Sequence, residues 1–248
     1  MTAFRDHFGA VSDAYARHRP RYPEALFAFL ASAAPGRELA WDSGTGNGQA
    51  ALGLAEHFRR VVATDASPGQ LERARPHPRV EYRCAPADAS GLPDRSADLV
   101  TAAQALHWFD LPRFYAEARR VLVAGGVLAV WCYGLPAAGP ELDPALRRFY
   151  EDTVGPYWPP ERRLVDAGYR TLDFPFEEIA APALAMETAM TLDDLGGYLS
   201  SWSATRYYRE RRGHDPVPPL LAELAPAWGP GVRRVRWPLA IRAGRVPG

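Results

Sequence analysis

Apolar and polar positions along this chain fall into blocks of two periods. Phe8, Val11, Tyr15 and His18 recur at helical spacing until Arg19-Pro20-Arg21-Tyr22-Pro23 breaks the run; a second helix, Glu24 to Ala33, closes at Pro35-Gly36. Strands are predicted at Leu39 to Ser43, Arg60 to Asp65, Val80 to Cys84, Ala97 to Ala103 and Gly126 to Cys132. Between them Ala50, Ala51, Leu54, Ala55 and Phe58 mark a helix, and Ser67-Pro68-Gly69-Gln70 starts a short one with a capping box. Asp110 caps another, through Val123. Five strand–helix alternations predict an α/β protein with a doubly wound sheet.

After Tyr133 the pattern changes. Asp143 to Thr153 reads as a helix, Pro156 to Pro160 interrupts it, and Phe174 to Glu187 reads as extended. Leu192 to Arg211 and Pro218 to Trp228 read as helices, with Tyr207 and Tyr208 as core residues of the first. Arg233, Val235, Trp237, Leu239 and Ile241 alternate as a closing strand. At 248 residues one domain is expected. Its expected parts are a helical lid (1–35), a core (36–133), a cap insertion that includes a sheet strand (134–230) and the closing strand (231–248).

Net charge is zero, so there is no electrostatic footprint for nucleic acid or an anionic membrane surface. The chain has no lysine, which makes every basic side chain a planar guanidinium fork. Cys84 and Cys132 sit at strand ends and read as small buried apolar groups rather than a disulfide pair. Neither a signal pattern nor a bilayer-length apolar run is present. A cytoplasmic protein, monomer or homodimer, is expected.

The chemistry concentrates in Asp42-Ser43-Gly44-Thr45-Gly46-Asn47-Gly48-Gln49, a glycine loop between the first strand and a helix start. Alternate glycines let bare main chain approach a ligand, and the helix N–H groups point back at it. Asp65 ends the next strand a little over 20 residues on, where nucleotide-binding units place a ribose ligand. A nicotinamide fingerprint needs glycine at the position of Gln49, so that register fails. The loop instead resembles motif I of the class I S-adenosylmethionine (SAM) dependent methyltransferases.

That resemblance extends over nearly the whole chain, toward a small-molecule branch that includes trans-aconitate methyltransferase-like proteins. It rests further on Phe8, Tyr15, Arg19, Tyr22 and Pro23 in a leading segment that covers the cofactor, and on Gln104-Ala105-Leu106-His107-Trp108 after the fourth strand. Tyr157 to Pro160, Tyr169-Arg170, Phe174 to Phe176, Tyr198 to Ser203 and Trp237 to Leu239 carry it through the insertion. It implies a Rossmann-like, mostly parallel seven-stranded sheet. It also implies that SAM is held by Asp42, Gly44, Gly46, Gly48, Asp65, Ala66, Ala87, Asp88, Gln104, Tyr15 and Arg19, and leaves as S-adenosylhomocysteine. His107, Trp108, Tyr22, Trp158, Tyr198, Trp202 and Arg206 are the expected acceptor contacts.

Methyl transfer from a sulfonium is an in-line displacement that needs positioning and exclusion of water, and no metal. The six histidines are scattered and no Gly-x-Ser-x-Gly elbow occurs. A carboxylate acceptor needs only a cation such as Arg19, Arg21 or Arg206, whereas a phenol or amine needs a base, for which His107 has a suitable unperturbed pKa. The alternatives are a SAM-binding regulatory protein without turnover and a NAD(P)-dependent reductase.

Overall fold

The computed structural model of the protein describes residues 20–246. The expected helix at Phe8 to His18, and the candidate residues Tyr15 and Arg19, lie outside the described residues. Five parallel strands alternate with helices: β1 (Leu39–Ser43), β2 (Arg60–Asp65), β3 (Val80–Cys84), β4 (Ala97–Ala103) and β5 (Leu122–Tyr133). A long β8 (Arg233–Arg245) runs antiparallel to β5, a short β6 (Glu177–Ile179) pairs with its far end, and the order across the sheet is β3-β2-β1-β4-β5-β8-β6. Chain order reverses between β1 and β4, so a crevice is expected past the carboxyl ends of those two strands.

The sheet is buried on both faces, which explains the continuous apolar runs in its sequence. In β5, Val127, Ala129, Trp131 and Tyr133 enter one core, while Leu128, Val130 and Cys132 enter the other. Helix α1 (Glu24–Ala33) buries Leu26, Phe27, Leu30 and Ala31 on the first face, beside α2 (Gln49–Ala55). A Cβ at Gly53 would collide with the Phe27 ring, so the helix pair depends on that glycine. The side chain of Gln49 donates to the Pro20 carbonyl (2.9 Å), which ties the segment before α1 to the glycine loop.

Several sequence expectations need correction. Among the described residues the sheet has eight strands instead of seven: the extended stretch divides at Pro182 into β6 (Glu177–Ile179) and β7 (Ala185–Met190). The thirteen-residue β8 accommodates both, pairing β6 at residues 243–245 and β7 at 233–238. The helix expected over Leu192 to Arg211 is two, α7 (Leu192–Ser200) and α8 (Ser203–Arg212). At the break the Ser201 and Thr205 hydroxyls donate to the Tyr198 and Leu199 carbonyls, alongside the main-chain N–H groups of Ser201 and Trp202. Tyr207 and Tyr208 on α8 are half-buried, not core.

Short α3 (Pro68–Leu71) starts without the expected capping box, because the Ser67 side chain makes no cap bond and its N–H is taken by Asp65. Helix α4 (Leu111–Val121) does carry its Asp110 cap, and stops at Val121 because Leu122 already belongs to β5. Cys132 is buried as expected, whereas Cys84 is exposed at the open edge strand β3; both are free thiols. In the insertion, α5 (Asp143–Arg148) runs on into one wide π turn at Phe149–Thr153. Helices α6 (Arg162–Asp166) and α9 (Val217–Trp228) complete it. Among the described residues no helix is long and apolar enough to cross a membrane.

Candidate active site

The glycine loop leaves β1 at the crevice and enters α2. Gly44, Gly46 and Gly48 all have positive φ, as the alternate-glycine spacing requires. They differ in what surrounds them. A Cβ on Gly44 would lie 2.7 Å from Ala105 Cβ and 2.9 Å from Phe109 Cζ, and one on Gly48 would meet the Tyr82 hydroxyl. At Gly46 the same atom would stand in open space, with only Gln70 Oε1 at 3.8 Å. Gly46 is the glycine that leaves room for a ligand; Gly44 and Gly48 let neighbouring side chains close in.

Two carboxylates frame the loop from opposite sides. Asp65 accepts the Gly46 N–H and the Ser67 N–H, both at 2.8 Å, and is half-buried at the loop's outer face. Asp42 is fully buried behind the loop: Thr45 Oγ1 donates to its Oδ2 (2.5 Å) and Thr101 Oγ1 to its Oδ1 (2.7 Å). Burial drives its pKa up to about 6, against those hydrogen bonds, with the Asp65 charge adding to the rise. Asp42 therefore braces the loop and projects charge, and its oxygens do not line the crevice. Thr45 and Thr101 were not singled out from the sequence; the Asp42-x-x-Thr45 spacing was the available signal for the first.

On the other wall, Gln104 takes φ +54 and its side-chain amide clamps both main-chain groups of Tyr133: Oε1 accepts Tyr133 N–H (2.9 Å) and Nε2 donates to Tyr133 O (3.0 Å). This clamp fixes the ends of β4 and β5 and aims the next turn, Leu106–Trp108, across the crevice. Its amide is spent on the backbone rather than directed at a ligand. Near β3, Ala66 is exposed and Ala87 packs at the edge of the second core, while Asp88 pairs with Arg113 at 2.9 Å.

His107 lies in that turn with Nδ1 2.9 Å from the Tyr169 hydroxyl and its ring against Trp108. Burial and, secondly, the Arg162 guanidinium lower its pKa to about 3, so the imidazole is neutral. Tyr22 stacks edge-on against Trp131 and Tyr133. Trp158 and Trp202 come together at 5.5 Å, and Tyr198 packs on Trp202 at 5.6 Å. Tyr198 is also core, its hydroxyl accepting the Trp237 indole N–H. Arg206 faces its own helix, near Glu210 (3.8 Å) and over the Tyr207 ring. Tyr150, Arg162 and Asp166 join the aromatic group, although no pattern distinguishes Arg162 from its exposed neighbour Arg163 in the sequence.

Comparison with known proteins gives this arrangement a context. The methyltransferase domain family matches residues 41–130, from within β1 to within β5. A Dictyostelium discoideum protein named as a methyltransferase is 37% identical over 92% of this chain and 88% of its own length. This chain belongs to the class I methyltransferases. The methyltransferase is also similar to a solved type II methyltransferase structure from Anaeromyxobacter dehalogenans, with 50% identity, TM-score 0.89, and coverage of 93% of this chain and 99% of that one. A malonyl-[acyl-carrier protein] O-methyltransferase of Geobacter sulfurreducens is 36% identical over 52% of this chain and 51% of its own. None of the three carries the resemblance down to the trans-aconitate branch.

Proposed function

We propose that this methyltransferase transfers the methyl group of SAM to the carboxylate of a small molecule. The observation that carries the choice of acceptor is His107. An imidazole whose conjugate acid has a pKa of about 3 takes up a proton poorly from a phenol or an ammonium group near neutral pH. A carboxylate is already anionic and needs no base. The Geobacter relative, an O-methyltransferase by name, supports the same acceptor chemistry over the half of the chain it matches.

The crevice fits an adenosyl ligand. Gly46 leaves the space a side chain would fill, the loop runs directly into α2, and a carboxylate stands at the end of β2. Asp65 would hold the ribose hydroxyls, with Ala66, Ala87 and Asp88 beside the adenine and the loop along the methionine portion. When bound, SAM supplies an electrophilic methyl group. The buried Asp42 charge favours a cationic sulfonium centre nearby, while the neutral His107 adds no positive charge against it. His107 and Trp108 position the acceptor, and the aromatic group around Trp158 keeps water away.

A radiolabelled-methyl screen against small carboxylic acids, phenols and amines tests this reading. Label in acids, as base-labile methyl esters, is expected. Label confined to phenols or amines overturns the acceptor class, and SAM binding with no labelled acceptor leaves a regulatory SAM-binding protein as the function.

A further inference from the structure

We propose that Arg162 is the seat of the acceptor's carboxylate. The inference rests on the carboxylate reading above and names the residue and the geometry that would select that class.

The first residue of α6, Arg162 has a side chain only 17% exposed. Its guanidinium lies 4.5 Å over the Trp158 ring and 5.3 Å from the Tyr150 ring, an arrangement that fixes the plane of the fork. All of its polar contacts use one nitrogen. Nε donates to the Tyr150 hydroxyl at 2.6 Å and stands 3.4 Å from Asp166 Oδ1, which itself accepts from that hydroxyl. Among the described residues neither Nη1 nor Nη2 meets an acceptor. The four N–H donors on these two nitrogens are thereby open to an acceptor from outside the protein.

The neighbourhood supplies one further donor. The indole Nε1 of Trp158 is buried with no hydrogen-bond partner. Arg162 is close enough to the site floor to depress the protonation of His107. A planar fork with both Nη groups open matches a carboxylate in bidentate fashion, and aromatic rings beside it suit an aryl or alkenyl body on the same acid. Arg163, next in sequence, is exposed and has no such setting.

The test begins with calorimetry of SAM on the wild type and each variant, followed by methyl transfer to aryl and alkenyl carboxylic acids and their matched carboxamides. With the best acid, Arg162→Gln is expected to raise KM by about tenfold or more with SAM affinity unchanged, the loss of a charge-assisted pair. Arg162→Lys, which keeps the charge but loses the fork, should fall between and stands in if the glutamine variant does not fold. Asp166→Asn, which disturbs only the Nε side, should move KM far less. The inference is overturned if KM is unchanged in both Arg162 variants, if Asp166→Asn reproduces their effect, or if carboxamides are labelled as readily as acids. A wild type that binds SAM yet labels no acid overturns it together with the carboxylate reading, whereas a wild type that fails to bind SAM refutes the transferase reading itself.

Discussion

The hydroxyl of Tyr169 and Nδ1 of His107 are hydrogen-bonded at 2.9 Å, and the direction of that bond decides what the imidazole can do. Tyr169 is fully buried, and burial holds its phenol proton on well beyond the ordinary tyrosine range. Among the described residues Nδ1 is the acceptor this buried hydroxyl meets, so Tyr169 donates its proton to Nδ1. The neutral tautomer that remains carries its hydrogen on Nε2, so His107 offers the site a donor rather than a lone pair.

A pH–rate profile checks this. For an acid acceptor, kcat/KM between pH 5 and 8 should show no inflection that disappears in His107→Asn. An inflection near 6.5 that is lost in this variant would restore the imidazole as a base. Tyr169→Phe should lower stability by about 1–3 kcal/mol through the buried Nδ1 left without a donor, with SAM affinity unchanged by calorimetry.

Asp42 makes stability depend on pH in the direction opposite to most paired carboxylates. The folded state holds its proton up to about pH 6, the unfolded chain only to the ordinary value of 3.8. Between these values the folded protein binds more protons, so this contribution is present below pH 3.8 and is lost as pH rises through 6. Urea unfolding of wild type and Asp42→Asn at pH 4 and pH 7 should show the difference between them changing by roughly 2–3 kcal/mol in favour of the variant at pH 7. A difference that is constant across that range would mean that Asp42 ionises normally.

How much of this was legible in the sequence follows from the range of the forces involved. The β1–loop–α2 unit and Asp65 are local in chain and announce themselves through glycine spacing and strand ends. Trp158 and Trp202 were visible as aromatics, and their grouping was not, because it depends on how the insertion folds back. Arg162 looks like any arginine until Trp158, Tyr150 and Asp166 close around it. The pKa of His107 was read as ordinary because neither burial nor the Arg162 charge has a local signature. The single helix expected over Leu192 to Arg211 failed where Ser201 and Thr205 hydroxyls compete for carbonyls, an effect periodicity does not register.

The three loop glycines should respond differently to alanine. Gly44→Ala places a Cβ against Ala105 and Phe109 and keeps φ +66, so the expected result is a clear fall in Tm. Gly46→Ala clashes with no neighbour, its Cβ lying 3.8 Å from Gln70 Oε1, and bears only the left-handed backbone penalty of about 1–2 kcal/mol. Its larger effect should be on SAM affinity, because the new methyl occupies the ligand's space. Equal losses of Tm with equal SAM affinity in the two variants would show that Gly46 is structural as well.

Asp65 links the proposed cofactor seat to the glycine loop, and this makes its substitution informative in two measurements at once. Its carboxylate holds the Gly46 N–H on one side and the Ser67 N–H on the other, so Asp65→Ala removes the proposed ribose acceptor and also releases two backbone donors. Calorimetry should show SAM affinity reduced by about 1.5–3 kcal/mol, the worth of hydrogen bonds to a charged group, and thermal unfolding should show a lower Tm from the freed donors. In Ser67→Pro only the second donor is lost, so Tm should fall with most of the SAM affinity kept. If Asp65→Ala binds SAM as tightly as the wild type while Tm falls, the carboxylate serves only to shape the loop, and the ribose must be held elsewhere.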